Sequence, residues 1–175
     1  MPALIYLVDT LLSLCLLAVL LRLLLQWSRA DFRNPLARSI VHITNPIIVP
    51  LRRLLPAIGR LDTASCVAVI VFALLEVAVA PLLSGFGPLP VLLWLRYAAI
   101  EIVRTTLWTY FFAIAVFALL SFVAPGTYSP AQDLLVALCE PVLRPFRRVI
   151  PPLGGLDFSP MWACILIQML LILVR

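Results

Sequence analysis

Long apolar runs alternate with shorter segments that carry arginine and proline. Four runs approach the roughly 20 residues that a helix needs to cross a bilayer core. They are Ala3 to Trp27, Ala64 to Leu83, Tyr97 to Val123, and Ser159 to Arg175. Between the first two, Leu36, Ile40, Ile43 and Ile47 recur at i, i+4, i+7 and i+11, which is one stripe of a helix. Arg38, His42 and Asn45 fall on another face. Between the last two, the corresponding stripe is Ala131, Leu135, Leu138 and Val142, with Asp133 and Glu140 at polar positions. This pattern predicts an all-α membrane protein of about four transmembrane helices, with an amphipathic helix lying at the interface in each intervening loop. A further short helix, opened by Pro50 or Pro145, is expected after each, because proline suits a first helical position.

Composition settles where the apolar runs face. Of 175 residues, 64% are hydrophobic and 12% charged, against about half and a quarter in soluble domains. A mean hydropathy of +1.14 leaves more apolar surface than a 19.4 kDa globule can hide. The first run is no secretory signal: it lacks a basic leading region, carries Asp9 and exceeds the usual apolar length. The net charge of +5 sits in loops beside the runs, so topology and lipid headgroups account for it and no nucleic acid partner is implied. Cys15, Cys66, Cys139 and Cys164 have no C-x-x-C spacing and read as small buried hydrophobes.

The chain also repeats itself. Asn45-Pro46-Ile47-Ile48-Val49-Pro50-Leu51-Arg52-Arg53-Leu54-Leu55-Pro56 recurs as Glu140-Pro141-Val142-Leu143-Arg144-Pro145-Phe146-Arg147-Arg148-Val149-Ile150-Pro151, an offset of 95 residues. Pro35 maps on Pro130, Gly59 on Gly154, Leu61 on Leu156 and Asp62 on Asp157 at the same offset. Residues 1–83 and 96–175 are therefore read as two parallel tandem repeats joined by a linker, 84–95. Nine arginines lie in the two motif loops, 28–62 and 124–158. The positive-inside bias puts both loops in the cytoplasm and both termini outside.

Candidate chemistry falls into three groups. Arg52, Arg53, Arg144, Arg147 and Arg148 follow apolar helical positions and suit anionic lipid or an acidic partner. Asp62, Asp157, Ser159 and Pro160 are helix-start residues: Asp157 or Ser159 as cap, and Pro160 in the first turn. Asp9, Glu76 and Arg104 lie inside runs, where ionisable groups are costly. They are expected to form an intramembrane polar cluster with Glu101 at its edge and Gln168 joining from the second repeat. A clamp that fixes helix register is one role for it, and an ion route is the other. Arg22, five residues before Trp27, is expected to snorkel to the interface. His42 is the single histidine, and no His/Cys set has metal-ligand spacing. With no G-x-S-x-G elbow either, neither an enzyme nor a cofactor is expected.

Asn34-Pro35, the Thr44 to Pro56 segment, Pro151-Pro152-Leu153-Gly154-Gly155-Leu156-Asp157-Phe158-Ser159-Pro160, and Leu20-Leu21-Arg22 with Gln26-Trp27 together resemble the YggT family in its two-copy bacterial form. The resemblance implies a multi-pass protein of the bacterial inner membrane. It also implies a role of the kind linked to that family: osmotic or salt tolerance, cation uptake, division-gene neighbourhoods, or cytochrome assembly and nucleoid distribution in plastids. It carries over no catalytic residue. The first copy departs from the pattern at Ala57, Arg60 and Ala64-Ser65, so its second helix is expected to be less well capped. The leading expectation is a non-enzymatic membrane scaffold or assembly factor that contacts lipid, a membrane-protein partner or a second copy of itself as a homo-oligomer. The alternative is a small transporter or channel component that tunes cation flux through the intramembrane cluster.

Overall fold

The computed structural model describes residues 2–55, 62–83, 85, 87–123, 129–149 and 157–174. Every regular element among them is helical: α1 (Pro2–Trp27), α2 (Pro35–Leu54), α3 (Thr63–Leu83), α4 (Val91–Val123), α5 (Pro130–Val149) and α6 (Ser159–Leu173). Three of them, α1, α3 and α4, are long and apolar enough to cross a membrane. The fourth expected span, α6, is apolar but has 15 residues. That is about 22 Å at 1.5 Å per residue, against a hydrocarbon core of about 30 Å.

Local chemistry explains where the helices begin and end. Asn34 Oδ1 accepts the Leu36 N–H at 2.9 Å and the Asn34 carbonyl accepts from Arg38, so Asn34 caps α2 with Pro35 in the next position. Ser129 does the same for α5: its Oγ accepts the Gln132 N–H at 3.2 Å and Pro130 follows. At the end of α1, Arg29 takes a left-handed φ of 56°. The Ala30 N–H then reaches back to Leu25 O and the Arg29 N–H to Gln26 O, the Schellman pattern that closes a helix.

Three boundaries differ from expectation. α2 is one helix rather than two, running through Pro46 and Pro50, and α5 likewise runs through Pro141 and Pro145. An interior proline deletes one backbone bond. Each pair here is spaced four residues apart, so both losses fall on one side of the helix. All four prolines are exposed, so the freed carbonyls face outward and the buried side keeps its ladder. α4 opens at Val91, inside the segment expected to be linker, because the Pro90 carbonyl accepts the Trp94 N–H at 3.0 Å and no breaker follows. The motif glycines Gly59, Gly154 and Gly155 lie outside the described residues.

The chain forms two compact units, Met1–Leu23 with Ile40–Thr105, and Leu24–Ser39 with Thr106–Arg175. In the first, the buried residues include Val19, Thr44, Ile48, Ala64 and Ala68. In the second they include Ile114, Cys139, Leu143, Ser159 and Ala163, each 95 positions later. On α2 the face packed within the protein carries Ala37, Thr44 and Ile48, whereas Leu36 and Ile43 of the predicted stripe are exposed. Those two positions are turned away from the protein's own core, while Ile40 and Ile47 are partly covered.

Candidate functional site

Each unit ties its proline-containing helix, α2 or α5, to the start of the following apolar helix through one arginine and one aspartate. In the first unit, Arg52 grips Asp62 with two bonds, Nη2 to Oδ2 at 2.6 Å and Nε to Oδ1 at 3.2 Å. Ser65 Oγ donates to Asp62 Oδ2 at 2.7 Å, and the Asp62 carbonyl accepts the Cys66 N–H, which makes Asp62 the residue that opens α3. Burial disfavours the Asp62 carboxylate, but the hydrogen bonds from Arg52 and Ser65 outweigh it and hold its pKa below the ordinary value. The same bond raises the pKa of Arg52. The first copy is therefore not the weakly tied one. Ser65, which stands where the second copy has Pro160, supplies a hydroxyl that a proline cannot.

In the second unit, Arg147 Nε donates to Asp157 Oδ2 at 2.8 Å, and its Nη1 donates to Glu140 Oε2 at 2.6 Å. Its Cζ lies 6.0 Å from the centre of the Phe117 ring, within cation–π range. Asp157 sits one residue before the N-cap Phe158, so neither it nor Ser159 is the cap itself. Its Oδ1 instead accepts the Ser159 N–H at 2.9 Å, and Pro160 occupies the first turn of α6. Burial works against the Asp157 charge, yet bonds from Ser159 and Arg147 leave its pKa below the ordinary range. This pair is more open than the first, with the Asp157 side chain 36% exposed against 4% for Asp62.

The remaining interfacial arginines are differently placed. Arg144 is exposed and only loosely paired with Glu140, at 3.8 Å. Arg53 and Arg148 are exposed in the last turns of α2 and α5, with no ion pair to a described residue. Arg22 departs most from expectation. It is 4% exposed rather than snorkelling. Its Nη1 donates to Thr44 Oγ1 at 2.8 Å and to Asn45 Oδ1 at 3.0 Å, with the Val41 carbonyl at 3.5 Å. The span-one arginine is an anchor for α2. The Leu20-Leu21-Arg22 and Thr44-Asn45 motifs could have suggested this, since a buried guanidinium needs acceptors and these are the polar groups on the facing helix.

Between α1 and α3 of the first unit, Glu76 Oε1 accepts from Ser13 Oγ at 2.5 Å. Ser13 was not singled out by the sequence. Glu101, Asp9 and Arg104 all act electrostatically on Glu76. The ion pair of Arg104, however, is with Glu101 one turn earlier on α4, at 2.5 Å, rather than a bridge between Asp9 and Glu76. The i, i+3 spacing explains this choice: the carboxylate on its own helix is already within reach. Glu76 Oε2 is buried with no hydrogen-bond partner. Gln168 is half-buried on α6, in the second unit. His42 is exposed, and among the described residues no cluster of three metal-ligating side chains occurs. The Cys139 thiol is pushed up to about 12, chiefly by burial, which leaves it protonated and unreactive at neutral pH.

Comparison with known proteins follows the same spacing. The CCB3/YggT family model matches residues 1–83 and 96–175. The chain belongs to the CCB3/YggT family. It is 43% identical to an uncharacterized protein of Pseudomonas aeruginosa, over 98% of this chain and 88% of that one. It is 36% identical to the uncharacterized protein YggT of Escherichia coli, over 97% of this chain and 88% of the relative. A Haemophilus influenzae relative is 30% identical over 88% of this chain and 81% of its own length. None of these family members carries an activity in its name, and no solved structure matches the chain.

Proposed function

We propose that the protein is a non-enzymatic scaffold or assembly factor of the bacterial inner membrane, built as two parallel repeats with α6 as a fourth span. Its α2 and α5 lie amphipathically on the cytoplasmic leaflet, and both termini lie outside. The observation that carries this reading is the division of labour in each Arg-Arg pair. Arg52 and Arg147 are held by carboxylates of the chain itself, while Arg53 and Arg148 remain exposed beside them. A guanidinium with no ion pair to a described residue, in the last turn of an interfacial helix, suits a lipid phosphate. The exposed Leu36 and Ile43 suit the acyl boundary beneath it. The family resemblance ties such a scaffold to osmotic stress tolerance or to envelope and division processes.

Native mass spectrometry of the full chain, with phosphatidylglycerol titrated against phosphatidylcholine, tests the lipid reading. Arg53→Gln with Arg148→Gln is expected to reduce retained phosphatidylglycerol severalfold without unfolding the protein. Unchanged retention would remove the interfacial role. Purification in mild detergent tests the scaffold, which requires a protein partner or a second copy in stoichiometric amount.

A second reading, a small cation-flux component, is favoured by the partnerless Glu76 Oε2 among Asp9, Glu101 and Arg104. Proteoliposome flux decides it. A Glu76→Gln protein that folds and keeps the flux of the unaltered chain rules the route out.

A further inference from the structure

The second unit contains a groove of about 320 Å³ between the end of α4 and the beginning of α6. That volume is near the lower limit of small-ligand sites, commonly about 300–1,000 Å³. Ala118 and Phe122 line it from α4, and Phe158, Met161 and Cys164 line it from the α6 side. Among the described residues, its single charged lining residue is Asp157. In the topology proposed above, the apolar walls belong to helix ends at the membrane boundary, where hydrocarbon is the available filler. The rim is unusual in offering both charges. Asp157 is ionised and part-exposed, and Arg147, whose Nε and Nη1 are occupied by Asp157 and Glu140, adjoins the groove through that pair and is still 35% exposed.

We infer that this groove seats an aminophospholipid. One acyl chain would lie along Phe122, Phe158 and Met161, the headgroup ammonium would meet Asp157, and the phosphate would meet the outer edge of Arg147. The charge pattern selects the occupant. A purely anionic headgroup brings a further negative charge against the exposed edge of Asp157, beyond what Arg147 and the Ser159 N–H already offset. A quaternary choline has no N–H to donate to it. A primary ammonium next to a phosphate complements both groups at once, and charge-assisted hydrogen bonds are the strong ones. The first unit does not present its aspartate in this way, because the Asp62 side chain is 4% exposed against 36% for Asp157. The inference deepens the lipid-contact reading given above by adding a selective seat to a general electrostatic surface.

The test is a competition on the full chain in detergent by native mass spectrometry, using phosphatidylethanolamine and phosphatidylcholine with identical acyl chains. The unaltered protein is expected to retain the ethanolamine lipid about tenfold over the choline lipid. Asp157→Asn should bring that ratio close to one. Ala118→Phe, which narrows the groove and leaves its charges in place, should lower retention of both lipids together. Equal retention of the two lipids by the unaltered chain overturns the proposal, and this arm needs no variant to fold. An undiminished ratio in Asp157→Asn, or unchanged retention in Ala118→Phe, overturns it as well. Loss of phosphatidylglycerol binding in the Arg53→Gln, Arg148→Gln protein, together with no ethanolamine preference, refutes the seat and leaves the general lipid reading standing.

Discussion

The two units solve one packing problem with different chemistry. In the first, α2 is drawn onto its unit by Arg22, whose guanidinium is buried and shared between Thr44 and Asn45. Ninety-five residues later the three positions are Phe117, Cys139 and Glu140. The charged anchor is gone, the threonine has become a buried thiol, and an apolar ring stands where the guanidinium was. Glu140, without an arginine from α4, takes Arg147, and that arginine then bridges Glu140, Asp157 and the Phe117 ring. Position by position the backbone motif is shared while the electrostatic strategy is not. A buried guanidinium fixes α2 through the cost of leaving it unpaired. The second unit relies on a half-exposed ion network that solvent weakens.

This contrast makes testable predictions. The largest effect is expected from Thr44→Val with Asn45→Leu, which strands Arg22 inside the protein at a cost of about 3–5 kcal/mol. Cys139→Val with Glu140→Leu removes only a screened contact and should cost about 1 kcal/mol or less. Unfolding in detergent measures both, and equal losses would erase the distinction. Next comes the arginine–aspartate pair. Asp62→Asn should cost about 2 kcal/mol, and Asp157→Asn, in the more open pair, about 1 kcal/mol. A larger loss from Asp157→Asn would reverse the ranking of the two units.

The pH dependence follows from the same carboxylates. Both have pKa values held below the ordinary aspartate value, which is about 3.9. A depressed folded-state pKa contributes stability that is complete above the unfolded value and is lost as pH falls through the folded one. Stability should therefore hold through mild acid and fall below the ordinary aspartate range. In Asp62→Asn that acid-dependent fall should be shallower, as a series of thermal melts against pH would record. The smallest effect is expected where the two units are alike. Arg53→Gln and Arg148→Gln should each change stability by no more than about 0.5 kcal/mol, whatever they do to lipid binding.

Much of the fold was readable along the chain. The long apolar helices α1, α3 and α4 follow from run length, and the caps at Asn34 and Ser129 stand directly before prolines that fit a first helical position. The joining of two predicted helices into α2 was not readable. Proline is ordinarily a breaker, and only the outward placement of Pro46 and Pro50 makes the missing bonds tolerable. The face of α2 that packs within the protein was not readable either. Hydrophobic spacing marked Leu36 and Ile43, but those face away, and the helix is docked instead through a polar threonine that an arginine pulls inward.

The order of residues determined that this chain is helical, that its apolar mass exceeds what a globule can cover, and that its proline-arginine motif occurs twice. Each of these is a property of spacing along one dimension. Which arginine of each adjacent pair is occupied could not be found that way. Arg52 and Arg53 are chemically identical neighbours, separated by about 100° of helical rotation. Only the placement of Asp62 at the start of the next helix chose between them.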